Sequence, residues 1–479
     1  MSGRPNIIFI MLDTVRADCL DVYGGDVRTS AIRRIASKAA VYENAISPGT
    51  YTVPSHVSLF SGTRVRNVKQ LLKDPIEHSE ENTDPFLLKS KYIKDGSMTL
   101  ARKLSYIGYN TALFSNNPFV SRSTGIAEGF AYVQNLWFEN KINKNRGSIK
   151  LALKMVQSDR VRKSLVKLAG LVSLGIPQRQ LDYLYFNLRT KLNKHFAAEY
   201  GFYDLDKGAS KTTEAVKGYL NNVGQENNFL FINYMEAHEG YPTNLITKEY
   251  VEQDKWMLLS GIADSSNLQI IKKAYSKRVA YLDSQIGKLL GELKAKGLLD
   301  NAVVVFAGDH GQSFLEHGQM YHNMFPYEQQ TNVPLITARF VDGKQVGTKE
   351  RIKENVSLTA LHDSILDIGY GRQDIIDGSL RRDNFVFSDH VGITEVWDSY
   401  LLSLIKGRSK YASSIYETKR HHNAFATAVY HKEMKLIHYF KKGMKDELYD
   451  LKSDKREEHN IIDANRGIAR QMLQQAKGG

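Results

Sequence analysis

Short runs of consecutive apolar residues recur along the chain, and each stops at polar residues. Asn6-Ile7-Ile8-Phe9-Ile10-Met11-Leu12 is an unbroken β-rich run that ends at Asp13. Thr111-Ala112-Leu113-Phe114 ends in Ser115-Asn116-Asn117-Pro118, a turn signal. Phe229–Tyr234 is a third run, and Ala302–Ala307 a fourth that stops at Gly308-Asp309-His310-Gly311. Runs without polar alternation predict strands buried on both faces, as in parallel sheets. Helical periodicity separates them, around Thr29–Ala40 and over Ile271–Lys296, which closes at Gly297 as a C-cap. Strands alternating with helices predict an α/β fold: a large mostly parallel sheet between two helical layers, a three-layer α/β/α sandwich. In such sheets ligands bind beyond the carboxyl ends of the strands. Asp13, Asn116 and the Asp309-His310 pair all stand at such ends. After about residue 375 the pattern turns to short strand-like pieces rich in Tyr, His and Lys, then a final helix. The predicted organisation is therefore a large α/β domain over 1–375 and a smaller C-terminal α+β subdomain over 376–479.

Composition narrows the class without changing that picture. With 42% hydrophobic and 24% charged residues among 479, the chain is neither disordered nor fibrous nor a membrane bundle. A single cysteine, Cys19, excludes an intramolecular disulfide and a cysteine-based zinc site. No run reaches 18 apolar residues, and the apolar opening passes into charged residues without a small-residue cleavage site. A cytoplasmic location is expected, with peripheral membrane contact as its variant. The net charge of +13 is concentrated: residues 140–196 hold thirteen Lys and Arg against two Asp, a local charge of +11. Within this insertion Val161, Leu165, Leu168 and Val172 follow helical spacing among Arg160, Arg162, Lys163 and Lys167. That basic helix reads either as a packed cap or as a surface for anionic membrane. Nucleic acid is disfavoured, because no recognition motif and no regular basic–aromatic interleaving is present.

Three segments carry candidate chemistry. Asp13 follows a buried strand directly, where a rigid carboxylate suits a hard divalent cation; a helix N-cap or a partner for Arg16 would read the same way. Asp309-His310 adds a carboxylate and an imidazole at another strand end, or a turn with a solvated histidine. Gly49–Gly62 places Thr50, Thr52, Ser55 and His56 around Pro54. A helix starting there aims free N–H groups at an anion, and the hydroxyl of Thr52 or Ser55 becomes a nucleophile once a metal lowers its pKa. A capped helix start without chemistry is the plainer alternative.

Taken together, these segments resemble the sulfatase-like families of the alkaline phosphatase superfamily. Pro5–Asp18 looks like the first strand of those families with its metal-binding Asp. Thr52-Val53-Pro54-Ser55-His56-Val57-Ser58-Leu59-Phe60-Ser61-Gly62 is similar to the nucleophile signature C/S/T-x-P-S-R/H. Gly308-Asp309-His310-Gly311, followed by Glu316-His317-Gly318, resembles the metal motif D-H-G-E-x-x-x-E-H-G. Tyr234-Met235-Glu236-Ala237-His238 and the C-terminal Glu447-Leu448-Tyr449-Asp450-Leu451 with Glu457-Glu458-His459-Asn460 complete an ordered set from residue 5 to about 462. The resemblance implies one divalent metal ion (Ca, Mn, Zn or Mg) held by Asp13, Thr52, Asp309 and His310. It implies Thr52 as nucleophile, His56, His238 and His322 as catalytic histidines, and Asn116, His238 and His322 on an anionic phosphate- or sulfate-ester substrate. Thr14 stands where many sulfatases carry a second Asp ligand.

Departures from the pattern set the expected reaction. Threonine at position 52 cannot be oxidised to the formylglycine aldehyde that sulfatases make from Cys or Ser, and His56 replaces the Arg that supports it. The G-K-W-H element is replaced by Ser115-Asn116-Asn117-Pro118, so its Lys and His are absent. These features favour a metal-dependent hydrolase or transferase, such as a phosphodiesterase, acting on a phosphate mono- or diester through Thr52. The rivals are a sulfatase using an unmodified threonine and a non-catalytic binding protein on the same fold.

Overall fold

β1, Asn6–Leu12, has every residue buried and a strand on each side. It pairs in parallel with β5, Asn228–Tyr234, and with β6, Asn301–Gly308. β3, Asn110–Ser115, continues the parallel run beyond β5 and is followed by β4, Tyr132–Asn135. On the other side β9, Asn332–Val341, runs antiparallel to β6, then β2, Ala40–Ile46, antiparallel to β9. β11, Glu350–Ser357, closes that edge parallel to β2, and the short β10, Lys344–Val346, pairs with β9. The order β11-β2-β9-β6-β1-β5-β3-β4 makes a nine-stranded sheet with β10 off the path, in which β9 alone opposes the parallel majority. This computed structural model describes residues 3–64, 92–136, 206–225, 227–238, 265–322, 325–373, 380, 384–391 and 425–478. The basic insertion predicted at 140–196 lies outside the described residues.

The period of two in β1 divides the core. Ile8, Ile10 and Leu12 pack with Ile32 and Ile35 of α1 (Ser30–Ala36), Val216 of α4 (Ala209–Leu220) and Leu282 and Ile286 of α5 (Ser265–Ala295). Ile7, Phe9 and Met11 face the opposite layer: Val57 and Phe60 of α2 (Thr52–Ser61), Leu104 of α3 (Leu100–Tyr106) and Ile365 of α7 (Leu361–Gly369). Both faces are covered, which is why an apolar run without alternation is the right sequence for this strand. Each large side chain buried here contributes about 1.5–3 kcal/mol. The three-layer α/β/α expectation is borne out.

A second, antiparallel sheet follows: β12 (Val386–His390), β13 (Ala426–His431), β14 (Met434–Tyr439) and β15 (Glu447–Asp450), in that order. Its alternation is the opposite case, one period and two different environments. Val429, Leu436 and Leu448 pack on Met472 and Ala476 of α8 (Arg466–Gly478). Ala428, Tyr430, Ile437 and Tyr439 face Ile46, Phe325 and Tyr327 of the larger domain. No described helix is long and apolar enough to cross a membrane.

Candidate active site

The register of the sheet brings the strand ends together. Leu12 is level with Gly308 on one side and with Tyr234 on the other, so Asp13 and Asp309 emerge side by side. Asp13 N donates to the Tyr234 carbonyl at 2.9 Å. Asp309 Oδ1 accepts from the N–H of Thr14 at 3.1 Å and of His310 at 2.8 Å. Thr14 sits at φ 60°, a left-handed conformation that is rare and strained for a β-branched residue. Tyr275 secures that turn: its hydroxyl donates to the Thr14 carbonyl at 2.9 Å and accepts from Arg16 N at 3.0 Å.

Thr52 opens α2, behind an extended Tyr51. Pro54 sits in the first turn, where its missing N–H would have had no helical partner in any case. Thr52 sits at the positive end of the helix dipole. Thr52 Oγ1 lies 3.4 Å from His310 Nε2 and accepts from Asn117 Nδ2 at 3.3 Å. His310 Nδ1 faces the Gly311 carbonyl at 3.0 Å, which can only accept. The ring proton is therefore on Nδ1, and the Nε2 lone pair is turned to Thr52 and the two carboxylates.

His310, His322 and His238 form a row. The rings of His310 and His322 are 4.6 Å apart, and those of His322 and His238 are 4.8 Å apart and edge-on. His322 Nδ1 donates to Gln312 Oε1 at 3.0 Å. The two histidines expected to face an anion are thus brought to the side of His310.

Two expected residues are placed differently. His56 is fully buried, with Nδ1 donating to the Thr52 carbonyl at 2.9 Å and its ring against Phe60 and Phe231. Burial pushes its pKa down to about 4, which favours the neutral ring, and its Nδ1 lies 3.8 Å from Asp309 Oδ2. Its bond to the Thr52 carbonyl supports the start of α2. Asn116, expected on the substrate, turns its side-chain amide to the Lys207 carbonyl. Its neighbour Asn117 takes the place at the site: Nδ2 donates to Asp13 Oδ2 at 2.7 Å as well as to Thr52. Its Oδ1 accepts from Phe119 N at 2.9 Å, which fixes the amide's orientation.

Among the described residues, Asp13, Asp309 and His310 form a group that could hold a metal ion. Asp13 and Asp309 are both fully buried, and each holds one carboxylate oxygen (Asp13 Oδ1, Asp309 Oδ2) with no hydrogen-bond partner. His310 Nε2 lies 3.8 Å from the first of these oxygens and 3.4 Å from the second. One ligand atom from each of the three residues falls within 4.8 Å of the others. Burial, with the neighbouring Asp309, pushes Asp13 up to about 7; burial does the same to Asp309. Two orphaned oxygens and one imidazole lone pair converging in a buried pocket fit a divalent cation.

The family model for sulfatases matches residues 5–371. The chain belongs to the sulfatase family. It is 23% identical to an N-acetylglucosamine-6-O-sulfatase of Bacteroides thetaiotaomicron, over 96% of this chain and 83% of that one. An arylsulfatase of Clostridium perfringens is 21% identical over 96% of this chain and 91% of its own. Among solved structures, a phosphonate monoester hydrolase of Agrobacterium radiobacter aligns with a TM-score of 0.61 at 15% identity, covering 99% of this chain and 94% of that one. The likeness read from the motifs, to sulfatase-like members of the alkaline phosphatase superfamily, is borne out.

For this sulfatase-family chain the residue missed by sequence reasoning, Asn117, yields a direct test. One amide group orients both the Thr52 hydroxyl and the Asp13 carboxylate. Asn117→Ala is expected to lower kcat on an aryl ester by about 10²–10³-fold, the usual effect of losing one preorganised donor. Weaker metal uptake, by about 10–100-fold, should accompany it. Steady-state kinetics and a metal titration on the same protein check both, and unchanged values in the folded variant would remove Asn117 from the site.

Proposed function

We propose that this protein is a metal-dependent hydrolase or transferase acting on a phosphate mono- or diester, with Thr52 as nucleophile. Sulfatase-family membership, with sulfatase and phosphonate hydrolase relatives, supports hydrolysis of a sulfate or phosphate ester. The observation that carries the finer reading is the setting of Thr52 Oγ1, a hydroxyl at a helix N-terminus, 3.4 Å from His310 Nε2 and 3.3 Å from Asn117 Nδ2. A threonine offers no route to the aldehyde that sulfate-ester cleavage in this family employs, but its alkoxide attacks phosphorus directly.

Asp13, Asp309 and His310 would hold the divalent cation, with Thr52 Oγ1 beside them. When bound, that ion supplies Lewis acidity, lowering the hydroxyl's pKa and offsetting charge on the substrate. The protein's own residues do the rest. Asn117 holds the Thr52 oxygen on line for attack, and the proton leaves to solvent as the hydroxyl ionises. Thr52 displaces the leaving alcohol and becomes phosphorylated. His238 and His322 face the anionic group, and one of them returns a proton to the departing oxygen. Water or an acceptor alcohol then takes the phosphoryl group from Thr52.

The breadth of the match to sulfatases favours a second reading, sulfate-ester hydrolysis with an unmodified threonine. Turnover of metal-loaded protein on aryl phosphate, aryl phosphodiester and aryl sulfate separates the two. A phosphorus ester is expected to lead in kcat/KM by at least about tenfold, or about 1.4 kcal/mol of barrier. A leading aryl sulfate gives the second reading, and no turnover on any of the three gives the non-catalytic one.

A further inference from the structure

Lys435 is fully buried in β14. Its ammonium lies 2.7 Å from Glu457 and 3.0 Å from Glu328, and 5.0 Å above the ring of Tyr430. The Tyr430 hydroxyl donates to Glu328 Oε1 at 2.7 Å, and Glu457 Oε2 accepts from the Glu328 N–H at 2.7 Å. Beside this cluster, Glu447 accepts from the hydroxyls of Tyr327 and Tyr449, each at 2.8 Å. Of these, the contacts of Lys435, Tyr430 and Glu457 with Glu328, and of Glu447 with Tyr327, reach from the C-terminal sheet and its following loop to Tyr327 or to Glu328, the first residue of α6 (Glu328–Thr331).

That short segment in turn holds the active-site loop. Gly311 N donates to the Gln330 carbonyl and Gln312 N to the Gln329 carbonyl, both at 2.8 Å. A Cβ on Gly311 would collide with the Gln329 carbonyl, so only glycine allows the approach. Gln330 Nε2 donates to Ser313 Oγ at 2.9 Å and to the Tyr321 carbonyl at 2.8 Å. Tyr321 precedes His322, and Gln312 is the residue that receives His322 Nδ1. The His317 ring stacks on Tyr327 with centroids 3.8 Å apart, and its Nε2 donates to the Arg456 carbonyl at 3.0 Å. Direct contacts therefore run unbroken from Lys435 to His310 and His322.

Adhesion alone does not call for charges here. The interface already has an apolar core of Ile46, Phe325, Val386, Ala428 and Ile437. Burying a lysine and the Glu457 carboxylate, with Glu328 part-buried beside them, costs desolvation that apolar residues would not, so what the cluster adds is direction. We propose that Lys435, Glu328 and Glu457 are positioning residues, through which the C-terminal sheet sets the loop Gly311–His322 so that His322 faces the site beside His310. This rests on the reading of His322 as a substrate-facing group.

Lys435→Met strands the buried Glu457 and the part-buried Glu328 carboxylates and is expected to unfold readily. The double variant Lys435→Met/Glu457→Gln removes the Lys435–Glu457 ion pair and leaves one carboxylate fewer without a counter-charge, so it is the variant to use. Amide hydrogen exchange is followed across the whole chain, with kcat and KM on the best aryl ester measured alongside. In the folded double variant, exchange over 311–322 should accelerate at least about tenfold while β1 and β6 keep wild-type rates. The kcat should fall at least about tenfold with KM nearly unchanged, the mark of lost transition-state geometry. Wild-type exchange over 311–322 in the double variant overturns the proposal, as does acceleration spread evenly over the chain. The exchange result stands even if no ester is turned over, so a failure of the ester reading is seen separately.

Discussion

Thr52→Ala is expected to lower kcat by about 10³-fold or more, roughly 4 kcal/mol of barrier, while the protein stays folded. The loss is large because the hydroxyl is the only group on α2 that meets both Asn117 Nδ2 and His310 Nε2 among the contacts described. The change in the core is small by contrast. Thr52 is the first helical residue and caps nothing, since the N-cap position belongs to Tyr51. Stability should therefore move by no more than about 1 kcal/mol. Thr52→Ser keeps the oxygen and should stay within about tenfold of wild type, which separates a need for the hydroxyl from a need for threonine's shape. Acid quenching during turnover should trap a peptide containing Thr52 with one added phosphoryl group. An alanine variant that loses less than about tenfold, or about 1.4 kcal/mol, would show that Thr52 is not the nucleophile.

The catalytic half of the fold was legible because each central strand is a pure apolar run that a parallel sheet buries on both faces. The runs at Asn6–Leu12, Thr111–Phe114, Phe229–Tyr234 and Ala302–Ala307 fall within β1, β3, β5 and β6. The helix over Ile271–Lys296 overlaps nearly all of α5 beyond its first turns. The helix expected over Thr29–Ala40 stops at Ala36, and Ala40 begins β2. Small residues such as Ala39 and Ala40 fix no period, and pairing with β9 and β11 decides them. The one reversed strand, β9, has no local signature, because direction is set by neighbours rather than by residues. The site splits in the same way. Asp13, Asp309 and His310 follow from strand ends in register. Asn116 and Asn117 are equivalent in sequence until the turn is built: Asn117 Oδ1 caps Phe119 N and Ser115 Oγ accepts from Asn117 N, which swings Nδ2 onto Asp13 and Thr52. The Asn-Pro pair was the available signal, since an Asn before Pro commonly makes such a side-chain turn. His56 follows Thr52 by one helical turn, and only the fold shows that its ring packs on Phe60 and Phe231 with Nδ1 3.8 Å from Asp309 Oδ2.

Stripped of metal, Asp13→Asn is expected to be more stable than wild type at pH 8, and no longer stabilised by divalent metal. Asp13 and Asp309 stand together, fully buried, each with an unpartnered oxygen. Burial and mutual repulsion hold Asp13 at about 7 against an ordinary value of 3.8. For a carboxylate raised in this way, the stabilising contribution is full at pH below the ordinary value. It is lost as pH climbs through about 7, where the folded protein must ionise a group the pocket prefers neutral. The penalty at pH 8 is on the order of 4 kcal/mol at most. Asparagine has the same shape, carries no charge and can still accept from Asn117. The chelator-treated variant should therefore melt above chelator-treated wild type at pH 8, and the gap should close toward pH 5. A bound cation removes the same penalty in wild type by a different route. At a hundred times its Kd, metal should add about 2.7 kcal/mol of stability. That gain grows from pH 5 to pH 8, because the ligands must shed protons to bind. The variant lacks one anionic ligand and should show little of it. Melting curves with and without Ca, Mn, Zn and Mg, at several pH values, test the scheme. Equal metal stabilisation of wild type and variant would sink Asp13 as a ligand. A variant less stable than wild type in chelator at pH 8 would sink the account of two repelling carboxylates.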